Sequence, residues 1–246
     1  VIRILPMKLD ILVFAAHPDD AEMSCGGTLA AEIANGRKVG IVDFTKGELG
    51  TRGTPETRLR EADEAGRVLG ISARHNLGFR DGFFRNDEEH QLALIPYLRR
   101  YQPELVLANA IEDRHPDHGK AAALAVDACF LSGLRQIRTT DPVDGTLQEA
   151  WRPRQVFHYI QDRYLKPDVT VDITAHWQTK LASIQAYRSQ FFDPTNTEPA
   201  SYISSKEFIE FLKARWQEYG HAIGVEFGEG FTSYRQIGTG SLFNLR

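Results

Sequence analysis

The 246-residue sequence is poor in sulfur, with two cysteines and two methionines, and it has no long apolar run. Cys25 and Cys129 stand far apart, and no Cys-x-x-Cys occurs. This excludes a disulfide framework and makes reduced thiols in the cytoplasm the default. Nothing approaches the ~18 consecutive apolar residues of a membrane span. Charge of one sign is lacking too: 29 basic residues face 33 acidic ones, for a formal net charge of −4. That balance gives no electrostatic case for a nucleic-acid partner or an acidic membrane. There is no internal repeat, no low-complexity tract and no apolar leader of the signal-peptide kind.

What remains is an ordinary globular composition, 42% apolar and 25% charged. It suffices for one large domain with its own core. Val1 to Pro6 precede a Met7-Lys8 that looks like a natural start. We read them as an extension and the domain as residues 7–246.

Residues 9–16 (LDILVFAA) form an apolar run broken only by Asp10. Apolar on both faces, it predicts a buried parallel strand. Gly26-Gly27-Thr28 is read as the start of a helix closed by Gly36. Residues 38–45 predict a second buried strand, followed by the glycine-rich loop 46–54. Pro55 starts a helix that Gly70 ends. A short strand over 72–76, a loop over 78–87, a helix over 88–101 and a strand over 104–108 follow. Residues 119–131 are apolar nearly all round and predict a buried helix.

Such alternation implies an α/β fold: a Rossmann-like, doubly wound, mostly parallel sheet with helices on both faces. Residues 135–246 are less regular and read as a C-terminal appendage on the same core. They contain strands over 156–160 and 168–173, helices over 174–189 and 205–219, and a glycine-punctuated tail over 221–231. Gly26-Gly27 does not make a GxGxxG, so no dinucleotide site is assigned there.

Two short stretches carry the chemistry. His17-Pro18-Asp19-Asp20-Ala21-Glu22 follows the first strand, and His115-Pro116-Asp117-His118 follows the strand ending at residue 108. Ligands of open α/β sheets bind at the carboxyl ends of strands, where both stretches fall. A lone His-Pro-Asp is a turn in most proteins; two of them at strand ends point to one polar or metal site. Catalytic zinc takes about three His or carboxylate ligands. His17, Asp20 and one histidine of the second loop meet that need. Asp19 is then free to act as a base on water. The other histidine can donate to an oxyanion and protonate a leaving amine, with Asp117 orienting it.

These two stretches resemble the paired signatures of the LmbE/PIG-L family of zinc-dependent N-acetylglucosamine deacetylases. The loop 47–58 (GELGTRGTPETR) and the stretch 224–231 (GVEFGEGF) resemble the bacillithiol-biosynthesis branch, which deacetylates N-acetylglucosaminyl malate. The resemblance implies zinc ligands His17, Asp20 and His118, with Asp19 as general base. It implies His115 as oxyanion stabiliser and acid, oriented by Asp117. It also implies a cytoplasmic homo-oligomer, trimeric or hexameric, acting on an N-acetylated sugar. Mycothiol-pathway relatives carry Tyr two residues before the first histidine of the second motif; this sequence has Asp113 there.

Three further residues are candidates for substrate contact. Arg52 lies in the glycine-rich loop and, by the resemblance, meets a sugar hydroxyl. Arg114 could grip a malate carboxylate or make a structural ion pair. Asn109 at a strand end could touch substrate or cap its loop. Arg58 is read as helix surface, paired with Glu61. Cys25 and Cys129 are read as core. Fe(II) and other divalent ions also accept a His₂-carboxylate set. An N-deacetylase or amidase of another sugar or thiol conjugate remains open. So does a non-catalytic Rossmann-like sugar or nucleotide binding module.

Overall fold

The computed structural model describes residues 7–244. The extension read over Val1 to Pro6 lies outside them. The strands are β1 (Ile11–Ala15), β2 (Val39–Thr45), β3 (Ala73–Phe79), β4 (Leu105–Ala108), β5 (Gln155–Tyr159), β6 (Val169–Asp172) and β7 (Gly228–Thr232). They form one sheet in the order β3-β2-β1-β4-β5-β7-β6. From β3 to β5 all pairs are parallel; β7 runs antiparallel to both its neighbours.

The run over residues 9–16 is buried on both faces, as its composition requires. Leu12 and Phe14 pack with Leu94, Leu98 and Leu124 on one face, and Ile11 and Val13 with Cys25 and Leu29 on the other. The helices are α1 (Asp20–Ala34), α2 (Pro55–Leu69), α3 (Glu88–Tyr101), α4 (Pro116–Leu131), α5 (Trp177–Gln185) and α6 (Lys206–Ala222). Helices α1, α2 and α5 pack against one another on one side, and α3 packs on α4 on the other. The fold is thus the expected α/β sheet with helices on both faces.

Several boundaries differ from the sequence reading: β3 runs to Phe79, into the stretch read as loop, and α6 to Ala222. Helix α1 begins at Asp20, not Gly26, and α4 at Pro116, not Gly119. Helix α5 covers only Trp177–Gln185. The tail over 221–231 contains β7, a fully buried strand between β5 and β6.

Both glycines lie inside α1 because the later chain presses on it there. A Cβ on Gly27 would meet Ile173 at 2.8 Å. The amides of Gly27 and Thr28, in the helix interior, donate to the Glu229 carboxylate of β7 at 2.9 and 2.7 Å. Lys180 of α5 also pairs with Glu229, and both are fully buried. Strand β1 lies between β2 and β4, so the crossovers leaving β1 and β4 run in opposite directions. The crevice of such a sheet opens at that switch.

Candidate metal centre and catalytic site

Two loops meet at the switch. After β1 the chain turns through His17-Pro18-Asp19. The Asp20 carboxylate accepts the His17 amide at 2.9 Å, closing the turn. Asp19 sits at φ 116°, ψ −25°, a conformation rare for a residue with a Cβ. Holding it there costs about 1–3 kcal/mol. After β4 the chain enters α4 with His115 at φ −80° and Pro116 in the first turn, an ordinary helix start.

His17, Asp20 and His118 come together. Asp20 Oδ1 is 3.1 Å from His118 Nε2, and Asp20 Oδ2 is 3.6 Å from His17 Nδ1. The remaining nitrogen of each ring has its own carboxylate. Asp81 Oδ1 lies 3.0 Å from His17 Nε2, and Asp113 Oδ2 lies 2.6 Å from His118 Nδ1. A carboxylate behind each imidazole fixes its tautomer and turns the other nitrogen toward a metal. Nitrogens of His17, His115 and His118 also lie within 4.8 Å of one another.

Electrostatics agree with a cation site. Burial disfavours charge on His118, yet Asp20 and Asp113 lift it to about 9. Against the same burial, Asp117, Asp20 and Asp81 lift His17 well above the usual imidazole range. Burial raises Asp20, but His118 and His17 outweigh it and hold its carboxyl well below the usual range. The carboxylates thus demand positive charge between the rings, and a divalent cation meets that demand in place of protons. The residues fit a metal.

Asp19 is buried and borders the cleft, a space of about 470 Å³ that His17, Asp20, His115 and His118 also line. Burial pushes its carboxyl up to about 7, against the pull of Arg58. Arg58 Nη2 donates to Asp19 Oδ2 at 2.6 Å and to the Pro18 carbonyl at 2.8 Å. This corrects the reading of Arg58 as helix surface: it is buried, and its ion pair is with Asp19, not Glu61. Gly47 leaves the guanidinium its room, because a Cβ there would meet Arg58 Nη1 at 2.7 Å.

His115 Nδ1 accepts the Asp117 amide at 3.3 Å, which leaves the proton of the neutral ring on Nε2. Burial, then His17 and His118, hold it below the usual imidazole range. The Asp117 side chain does not serve it. Asp117 Oδ2 accepts from Gly82 and lies 3.4 Å from His17 Nε2, and Oδ1 pairs with Lys120 at 2.6 Å. Asp117 thus orients His17, while its backbone orients His115.

The three substrate candidates separate. Asn109 is fully buried; its amide donates to Asp20 Oδ2 and its oxygen accepts from Ala16. It ties the two loops together and does not face the cleft. Arg52 is buried outside the cleft lining, with no partner for its Nε among the described residues. Arg114 does line the cleft, bonds Asp162 at 3.0 Å and stacks on Tyr202. The sequence reading missed Asp81, Asp113 and Gln161 as supports of the metal set. Gln161 donates to Asp20 Oδ1 at 3.0 Å. Asp113 could have been found from its place five residues before His118 in a loop already singled out. Asp81 and Gln161 carry no local signal.

The fold and the donor set define a Rossmann-like protein with a candidate His-carboxylate metal site at its switch point. The pattern of the PIG-L family, described as GlcNAc-PI de-N-acetylase, matches residues 12–130. A 1D-myo-inositol 2-acetamido-2-deoxy-alpha-D-glucopyranoside deacetylase of Saccharomonospora viridis is 30% identical, over 73% of this chain and 84% of that protein. The conserved protein TT1542 of Thermus thermophilus is 40% identical, with a TM-score of 0.83 over 95% of this chain and 98% of that one. An N,N'-diacetylchitobiose deacetylase of Pyrococcus horikoshii is 30% identical, with a TM-score of 0.75 over 90% of this chain and 82% of that one. The chain belongs to the PIG-L/LmbE family.

Proposed function

We propose that this protein is a metal-dependent hydrolase that removes the acetyl group from an N-acetylglucosaminyl compound. N-acetylglucosaminyl malate, as in bacillithiol biosynthesis, is the leading substrate. One observation carries the reading: a buried carboxylate, Asp19, and the imidazole of His115 line the cleft beside His17, Asp20 and His118, and with the metal assigned to those three they are left for catalysis. A pure binding module has no use for that spare pair.

A divalent ion, zinc in the first instance, would be held by His17, Asp20 and His118 and would supply Lewis acidity to the amide carbonyl and to a water. Asp19 takes the proton of that water, with its carboxyl near 7 as a general base requires. Arg58 keeps it aimed. His115 donates from Nε2 to the oxygen of the tetrahedral adduct. The leaving amine then receives the proton that Asp19 collected, through His115. Acetate and a free glucosaminyl amine result. Arg114, on the cleft wall, is the group suited to a malate carboxylate.

The protein is taken to work in the cytoplasm as a homo-oligomer. No described helix is long and apolar enough to cross a membrane. The test is acetate release by purified, metal-quantified protein. Substrates are N-acetylglucosaminyl malate, free N-acetylglucosamine and a thiol conjugate. The malate glycoside should react fastest. Preference for the thiol conjugate would move the reading to a conjugate amidase. Metal binding without any acetate release would overturn the enzymatic reading.

A further inference from the structure

Behind His118 lies a second, smaller cavity of about 60 Å³. Met23, Ile160, Phe208, Leu212, Trp216 and Tyr219 form its apolar wall. Phe208, Trp216 and Tyr219 come from α6 and are 7%, 3% and 4% exposed. Met23 comes from α1, three residues past Asp20. Met23, Arg114, His118, Tyr202 and Ile203 border both this cavity and the polar cleft, so the two spaces share a wall that includes one of the metal-set residues, His118.

The charged groups at its wall each have a partner within the protein, Arg114 through its Nε alone. Asp113 serves His118, and Arg114 bonds Asp162. Arg215 donates to the carbonyls of Gln161 and Asp162, and Glu229 is held by Lys180 and two amides. A hydroxylated sugar placed there would give up hydrogen bonds to water and find few in return. A short hydrocarbon chain would give up none.

An amide carbon at the metal set has two branches. The nitrogen leads to the sugar, which requires the polar cleft. The alkyl chain must point elsewhere, and this cavity is the apolar space beside His118. A methyl group fills only part of it. We propose that the cavity is an acyl pocket, and that the enzyme therefore accepts propionyl and butyryl amides as well as acetyl. The inference rests on the N-deacylase reading above. In the reaction, water's hydroxyl joins the acyl carbon, the C–N bond breaks, and water's proton goes to the amine. Butyrate and the same glucosaminyl amine result.

The experiment compares kcat/KM for N-acetyl, N-propionyl and N-butyryl forms of one glucosaminide with the metal-loaded full chain. Burial of each added methylene should raise kcat/KM by up to about fourfold, so butyryl should at least match acetyl. A pocket closed to the chain would instead cost roughly 10–200-fold per methylene. Normal acetyl turnover with such a loss on butyryl would overturn the inference and leave the deacetylase reading standing. Failure on all three amides would overturn both. Leu212→Trp should lower the butyryl-to-acetyl ratio about tenfold or more; an unchanged ratio in a folded variant would place the chain elsewhere. Product inhibition needs no variant: butyrate should inhibit more tightly than acetate, and equal inhibition would count against the pocket.

Discussion

The loop after β1 turns into α1 through Asp19 at φ 116°, whereas the loop after β4 turns into α4 through His115 at φ −80°. Both read His-Pro-Asp. The first supplies two metal-set groups and the candidate base from four consecutive residues, and it needs an unfavourable backbone to aim them apart. Arg58, reaching in from α2, holds that backbone and its carboxylate at once. The second loop supplies one metal-set group and one donor with relaxed helix geometry. Crowding of function, rather than residue type, decides where strain is stored.

Four measurements test how the two loops divide their work. The largest effect belongs to the strained loop. Asp19→Ala should lower kcat by about 10²–10⁴-fold, the range for removing a positioned general base. Its metal content, measured by mass spectrometry, should stay at the wild-type level. Loss of metal would mean that Asp19 serves the ion and that division of labour within the loop is wrong.

Next come the two carboxylates behind the rings. Asp81→Asn and Asp113→Asn should each weaken metal binding about 10–100-fold by competition with a chelator. Similar losses would show the loops to be equal as metal holders. A loss confined to one would make that loop dominant.

Asn109→Ala cuts the tie between the loops and leaves the Ala16 amide without its partner. It should destabilise the fold by about 1–3 kcal/mol in urea denaturation. A neutral result would mean that the loops are positioned independently by their strands.

The smallest effect tests the strain itself. Asp19→Gly should be about 1 kcal/mol more stable than Asp19→Ala, since glycine adopts a positive φ without steric cost. Equal stability would show that no strain is stored there.

The candidate metal residues could be picked out in the sequence because they are short-range, although only the family resemblance chose His118 over His115. His17 and Asp20 share one turn, His115 and His118 another, and buried strands announce where each turn falls. The strands over 9–16, 38–45 and 104–108 were readable for the same reason: apolar runs without alternation. What was not readable depends on distant chain. Arg58 lies on a helix of strongly polar composition, and only the fold reveals that it faces Pro18 and Asp19. Asn109 sits at a strand end, where contact with substrate and contact with Asp20 look alike in one dimension. Strand β7 reads GEGFT, whose two glycines argue against a strand. A Cβ on Gly228 would meet the Gly220 backbone nitrogen at 2.9 Å, so close packing demands glycine there. Glycines 26 and 27 misled in the same way, since they mark pressure from Lys180 and Ile173, not a helix start.

Glu229 links residues 202 positions apart by accepting the Gly27 amide inside α1. On a ribosome adding about 5–20 residues per second, that separation corresponds to roughly 10–40 seconds of synthesis. Throughout that interval α1 is present without the carboxylate that seats it, and the turn carrying Asp19 and Asp20 hangs from an unfinished helix. The two loops of the site are therefore synthesised before the carboxylate that seats α1. Until β7 emerges, α1 lacks the anchor that Glu229 supplies at Gly27 and Thr28.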